Sequence, residues 1–167
     1  MAAEVIDWAG PGEARLVAVA EAHQRVAVLH GVNLGALGKR DPEHYGTLTL
    51  PELERQIKVW ALELGLGATF FQTNGEGAFV DHLHRVPERA DAVIINAGAW
   101  THYSWALRDA LEITGLPAVE VHLSDVANRE PWRHLSVFDG VVIAKVSGKG
   151  PQGYREALEI VKRELSD

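Results

Sequence analysis

The sequence predicts an α/β fold: a three-layer, doubly wound, five-stranded parallel sheet with helices on both faces. Three observations lead there. Short runs rich in valine and isoleucine recur along the chain, as buried parallel strands require. Segments of helical periodicity separate them, which is the alternation of a βαβ chain. Finally, 167 residues, 47% of them hydrophobic, suffice for one core and no more.

Residues 1–25 precede the first strand as an N-terminal extension, in which LVAVAEAH is too short to separate a helix from a mobile arm. One domain over residues 26–167 follows. Its strands are VAVLH (26–30), ATFFQ (68–72), AVIIN (92–96), AVEVHL (118–123) and VVIAKV (141–146). Its helices are LTLPELERQIKVWALELG, EGAFVDHLHRV, THYSWALRDALEITG and PQGYREALEIVKREL. Thr49 ahead of Pro51 and Glu52 is a helix-start signal, and Gly65 and Gly115 are stop signals.

Composition narrows the function. With 16 basic and 23 acidic side chains the net charge is −7, which argues against a surface that tracks nucleic-acid phosphates. The absence of cysteine excludes disulfides, thiolate metal sites and cysteine nucleophiles. No apolar run approaches the roughly 18 residues of a membrane span, and MAAEVIDWAG has no signal-type core, so no membrane association and a cytoplasmic location are expected.

Several motifs fail. The glycines of HGVNLGALG do not have dinucleotide-binding spacing, and neither a P-loop nor G-x-S-x-G occurs. Where a receiver domain would carry acidic residues stand His30, Asn33 and Asn96. His82 and His84, two apart on a helix, diverge and do not form a metal pair. No metal and no cofactor is expected.

In a sheet of this kind ligands bind beyond the carboxyl ends of the strands. Asn33, Asn96, His102, Glu120, His122, Leu123, Ser124 and Arg133 gather there. Glu120 and His122, two apart on a strand, share a face, so the carboxylate can orient the imidazole as a general acid; a plain hydrogen-bonded strand-end pair is the alternative. Leu123 and Ser124 open a short helix whose N–H groups, with the Ser124 hydroxyl and Arg133, could hold a small anion, or merely cap that helix. His102 and Asp109, seven apart on the third helix, lie on one stripe but roughly 10 Å apart. Asp109 therefore either pairs with a nearby cation or serves a second subunit's site.

The loop GKRDPEHYG, residues 38–46, holds a tyrosine with no hydrophobic pattern around it. To act as a base near pH 7–8 a phenol must be made more acidic by about 3–4 kcal/mol. One guanidinium at about 4 Å, at an effective dielectric of about 20, supplies about 4 kcal/mol. Arg40, five residues before Tyr45, is sufficient if the glycine-bounded loop closes as a lid.

Seven blocks together resemble one family: NL-x-x-LG-x-R-x-P-x-x-YG-x-x-T (33–49), Q-x-N-x-EG (72–77), IN-x-GA-x-TH (95–102), S-x-ALRDA (104–110), EVHLS (120–124), RE-x-x-R (129–133) and G-x-QGY (150–154). In this order they are similar to the type II 3-dehydroquinate dehydratases, flavodoxin-like enzymes of the shikimate and quinate pathways. The resemblance implies a hydro-lyase that uses neither metal nor Schiff base on a cyclic hydroxy-keto carboxylate. Tyr45 would be the base, with Arg40 lowering its pKa. Asn33 would hold a water against the enolate, and His122, supported by Glu120, would protonate the departing hydroxyl. Asn96, Leu123 and Ser124 would grip the carboxylate, and His102 and Arg133 the ring hydroxyls. Asp109 would reach a neighbouring subunit's site, since the family assembles as homo-oligomeric trimers, usually four to a dodecamer.

The chain departs from the family's usual residues at Val32, Gly75, Tyr103, Trp105, Asp125 and Ala127. Asp125 is expected to weaken binding of an anionic substrate by about 1 kcal/mol if partly exposed. These departures motivate two alternatives, a non-catalytic relative that binds a small cyclic acid and a lyase for a related polyol acid.

Overall fold

The computed structural model describes residues 24–167 and, within the preceding stretch, the backbone pairing of Val5–Ile6 with Leu16–Val17. That pairing is antiparallel. Leu16 and Val17, the start of the stretch expected as helix or arm, are therefore strand; the rest of it lies outside the described residues.

From residue 24 onward the expected architecture is present. The strands of the main sheet are β1 (Arg25–His30), β2 (Gly67–Gln72), β3 (Ala92–Asn96), β4 (Ala118–His122) and β5 (Ala144–Ser147). All four pairings are parallel and the order is β2-β1-β3-β4-β5, a flavodoxin-like doubly wound sheet. The helices are α1 (Leu50–Glu63), α2 (Glu76–Leu83), α3 (Trp105–Thr114) and α4 (Gln152–Glu164). Among the described residues no helix is long and apolar enough to cross a membrane.

Strand alternation sorts the core into two layers. Val26, Val28, Ile94, Val119 and Val121 face α1 and α4, where they meet Leu53, Ile57, Leu158 and Val161. Ala27, Leu29, Val93 and Ile95 face α2 and α3, against Phe79, Leu83, Leu107 and Leu111. α1 starts where its signals place it: the Glu52 carboxylate accepts from the Thr49 N–H (2.8 Å) and hydroxyl (2.7 Å). Gly65 and Gly115 end their helices at φ of 70° and 64°, a conformation that costs glycine little.

Two boundaries differ from expectation. The last strand begins at Ala144, because the N–H groups of Val141 and Val142 both return to the Phe138 carbonyl in a turn. Nor does the third helix include Thr101–Ser104. Residues Gly98–His102 form a separate 3₁₀ turn, and Ser104 caps α3 by accepting from the Leu107 N–H at 3.2 Å. His102 and Asp109 are thus not on one helical stripe.

The last residue of β1, His30, is fully buried between the rings of Phe70 and Tyr154. Burial lowers its pKa to about 4. Between about 4 and the ordinary 6.5 the unfolded chain binds a proton that the folded one refuses, so stability falls as pH drops through that window. The contribution lost is about 3 kcal/mol. Urea unfolding at pH 7 and pH 4.5 is expected to show it, with His30→Asn losing less stability than wild type over the same interval.

Candidate active site

Gly31 and Gly98 let the strand ends approach closely enough to form a cleft. A Cβ on Gly31 would stand 2.3 Å from the Ala97 carbonyl oxygen, and one on Gly98 would stand 2.5 Å from that of Val32. The segments after β1 and β3 therefore touch backbone to backbone at the point where the sheet order reverses. Asn33 follows in the left-handed region, at φ 66°, uncommon for a residue other than glycine. Asn74 holds it there by accepting from its N–H at 2.9 Å, while the Gln72 amide donates to Asn74 Oδ1 and to the Gly31 carbonyl. The Q-x-N block is thus the brace of Asn33.

A cleft of about 120 Å³ lies over this junction. Asn33, Arg40, Tyr45, Asn96, His102, His122, Leu123, Ser124 and Arg133 all line it. Of the residues singled out from sequence, Glu120 stands behind His122, and Asp109 is elsewhere: exposed on α3, its carboxylate making no ion pair or hydrogen bond among the described residues.

Glu120 and His122 share a face as their spacing requires. Glu120 Oε1 is 2.7 Å from His122 Nε2, in a pair almost wholly out of solvent. The other carboxylate oxygen accepts from the Ser136 hydroxyl at 2.8 Å and has Lys145 Nζ at 4.0 Å. A buried carboxylate with both oxygens engaged fixes the imidazole's tilt and leaves Nδ1 as the nitrogen open to a ligand. The second imidazole, His102, lies nearly parallel to it with ring centroids 6.2 Å apart. Its Nδ1 donates to the Leu135 carbonyl at 2.7 Å. Burial, outweighing that bond, lowers the His102 pKa. His102 thus meets a ligand as a neutral ring.

Tyr45 sits on a single helical turn, Pro42–Tyr45, started by Asp41, whose carboxylate accepts from the Glu43 N–H at 3.0 Å. The phenol ring lies beneath Arg40, whose guanidinium carbon is 3.7 Å from the ring centroid. The hydroxyl instead accepts a hydrogen bond from Arg129 Nη1 at 2.7 Å. Arg129 also reaches Ser124 Oγ at 3.4 Å and pairs with Glu130 at 3.4 Å. Sequence proximity makes Arg40 the expected guanidinium beside the phenol; the structure places Arg40 on the ring face and Arg129 at the oxygen. Arg129 lies in the RE-x-x-R block, but nothing in that spacing tells which arginine turns toward the loop. Arg133 donates to Glu130 at 2.7 Å and lies over Trp132.

The expected cost of Asp125 does not follow from its placement. Its carboxylate accepts from the Ala127 N–H at 3.1 Å and the Asn128 amide at 2.6 Å, and it lines a neighbouring hollow with Gly148 and Gly150 rather than the cleft. Its charge is spent on capping the turn Val126–Asn128. His82 lies flat on Phe71 with ring centroids 3.8 Å apart.

Residues 24–162 match the family described as Dehydroquinase class II. The chain belongs to that family. A 3-dehydroquinate dehydratase of Syntrophotalea carbinolica is 49% identical over 136 residues, covering 81% of this chain and 92% of that protein. One from Pelotomaculum thermopropionicum is 48% identical over 134 residues, 80% and 93% of the two chains. Among solved structures, a type II dehydroquinase of Propionibacterium acnes superposes with a TM-score of 0.80 at 38% identity, over 84% of this chain and 97% of its own. Membership of the class II dehydroquinases makes the chain a lyase, and the sheet edge described above is its candidate active site.

The close approach at Gly31 yields a direct expectation. Gly31→Ala forces a Cβ into the Ala97 backbone and is expected to cost about 1–3 kcal/mol in urea unfolding. An unchanged midpoint would mean that the two strand ends separate without strain.

Proposed function

We propose that this protein dehydrates 3-dehydroquinate to 3-dehydroshikimate by a stepwise elimination through an enolate, with Tyr45 as the base. The observation that carries this reading is the Arg129–Tyr45 hydrogen bond beneath a second guanidinium, opposite a carboxylate-backed imidazole in the same cleft. The names of the relatives, 3-dehydroquinate dehydratases, support the substrate.

In this reading the phenolate takes the proton on the carbon next to the ketone. Arg129 donates to the tyrosine oxygen and Arg40 lies on the ring face, so two guanidiniums flank the base. Negative charge then moves onto the ketone oxygen, which a water held by Asn33 stabilises as it develops. His122, oriented by Glu120, gives its proton to the departing hydroxyl, which leaves as water. Asn96 and the Leu123–Ser124 segment hold the substrate carboxylate, while His102 and Arg133 hold ring hydroxyls. The loop Gly38–Gly46 acts as the lid. The protein works as a cytoplasmic, trimer-based homo-oligomer, a dodecamer of four trimers, in which the exposed Asp109 serves a neighbouring subunit's site.

Turnover followed by the absorbance of the conjugated product tests the chemistry. Tyr45→Phe is expected to lower kcat by about 10²–10⁴-fold with little change in KM, and His122→Ala to fall in the same range. A wild-type protein without turnover would contradict the reading, as would full activity in Tyr45→Phe. Light scattering tests the assembly: a stable monomer would leave Asp109 without its proposed role.

A further inference from the structure

Beneath Asn96 runs a buried chain of polar groups that the reaction above does not use. The Asn96 amide donates to the Tyr154 hydroxyl at 3.0 Å, and that hydroxyl lies 3.3 Å from His30 Nδ1. Tyr154 and His30 are both fully buried, and His30 stands beside Asn96 in the β1–β3 register. On its far side, His30 Nε2 makes no hydrogen bond, and the nearest acidic oxygen is Glu54 Oε1, 3.6 Å away on α1.

Counting donors fixes the sense of this chain. The Gly98 N–H points at Asn96 Oδ1, 3.3 Å away, so the amide oxygen belongs on that side and the nitrogen faces the phenol. The phenol oxygen accepts from that nitrogen, and its single proton must go to His30 Nδ1. His30 Nδ1 is then a lone pair, and the ring proton sits on Nε2. Burial keeps the imidazole neutral until the pH approaches about 4, so this arrangement holds across the neutral range.

We propose that His30 is a positioning residue for the substrate carboxylate: by accepting from Tyr154 it directs the second amide hydrogen of Asn96 into the cleft. With a donor at position 30 instead, the phenol would face two donors and its own proton would have no acceptor. Relief would come from turning the Asn96 amide over. That would aim an oxygen at an anionic ligand and strip the Gly98 N–H of its acceptor. The electrostatic sign of a group two hydrogen bonds away thus decides whether Asn96 attracts or repels a carboxylate. The inference rests on the reading of Asn96 as a carboxylate donor.

Steady-state kinetics with 3-dehydroquinate on five variants separate the two claims. His30→Leu and Tyr154→Phe, which break the chain, are expected to raise KM about tenfold with kcat within about twofold of wild type. His30→Asn, which returns an acceptor oxygen near the place of Nδ1, is expected to keep KM within about twofold. In an Asn96→Ala background, itself raised in KM, His30→Leu is expected to add nothing further. Should His30→Leu not fold, Tyr154→Phe, which deletes one oxygen, carries the same comparison. A raised KM in Asn96→Ala alone, with His30→Leu and Tyr154→Phe like wild type, would overturn the role of His30 and leave that of Asn96 standing. Fully additive effects would overturn it too. An unchanged KM in Asn96→Ala would remove the carboxylate role and this inference with it.

Discussion

The hydrogen bond from Arg129 to the Tyr45 hydroxyl joins two segments that meet beside the cleft. One is a loop of charged residues whose only regular structure is a four-residue helical turn. The other is a pair of 3₁₀ turns after β4. At 2.7 Å the contact is in the range of charge-assisted bonds, and Arg129 is itself steadied by Ser124 and Glu130. Arg40 acts on the same ring through its face, 3.7 Å from the centroid. The two cations therefore play different parts: one orients an oxygen, the other covers a π surface.

Glu120 and His122, opposite the tyrosine, are carried by the end of β4. Sheet geometry sends Glu120 and His122 to one face, and the Ser136 hydroxyl allows the carboxylate to be buried without an orphaned oxygen. Two nearly parallel imidazoles are then set apart by their partners. His122 has a carboxylate on one nitrogen, whereas His102 has only a carbonyl and is kept neutral by burial. A cleft in a chain of net charge −7 thus acquires a locally basic wall from Arg40 and Arg133, with Arg129 behind the tyrosine hydroxyl.

Hydrophobic runs and capping signals located the sheet and its helices, because parallel strands buried on both sides leave an unmistakable composition. The start of the last strand is read too early for the same reason: Val141 and Val142 pack on the core from a turn, and composition cannot tell a half-buried turn from a strand. The extra length read into the third helix came from periodicity that runs on through Thr101–Tyr103, although Ser104 breaks it with its side chain. At the site, most lining residues were legible because strand ends converge by topology alone. The partner of the phenol was not, since Arg40 is near Tyr45 in sequence and Arg129 is 84 residues away. Nor was the Asn96–Tyr154–His30 chain, which joins three elements whose spacing carries no periodic signal.

The central claim is that Tyr45 removes the proton next to the ketone before His122 releases water, and isotope washout tests it most directly. 3-Dehydroquinate labelled with deuterium at that carbon is incubated with the protein in ordinary water, and loss of label from unreacted substrate is followed by mass spectrometry. The account predicts that His122→Ala still washes out label while forming almost no product, and that Tyr45→Phe does neither. Washout persisting in Tyr45→Phe would contradict it, because another group would then be taking the proton.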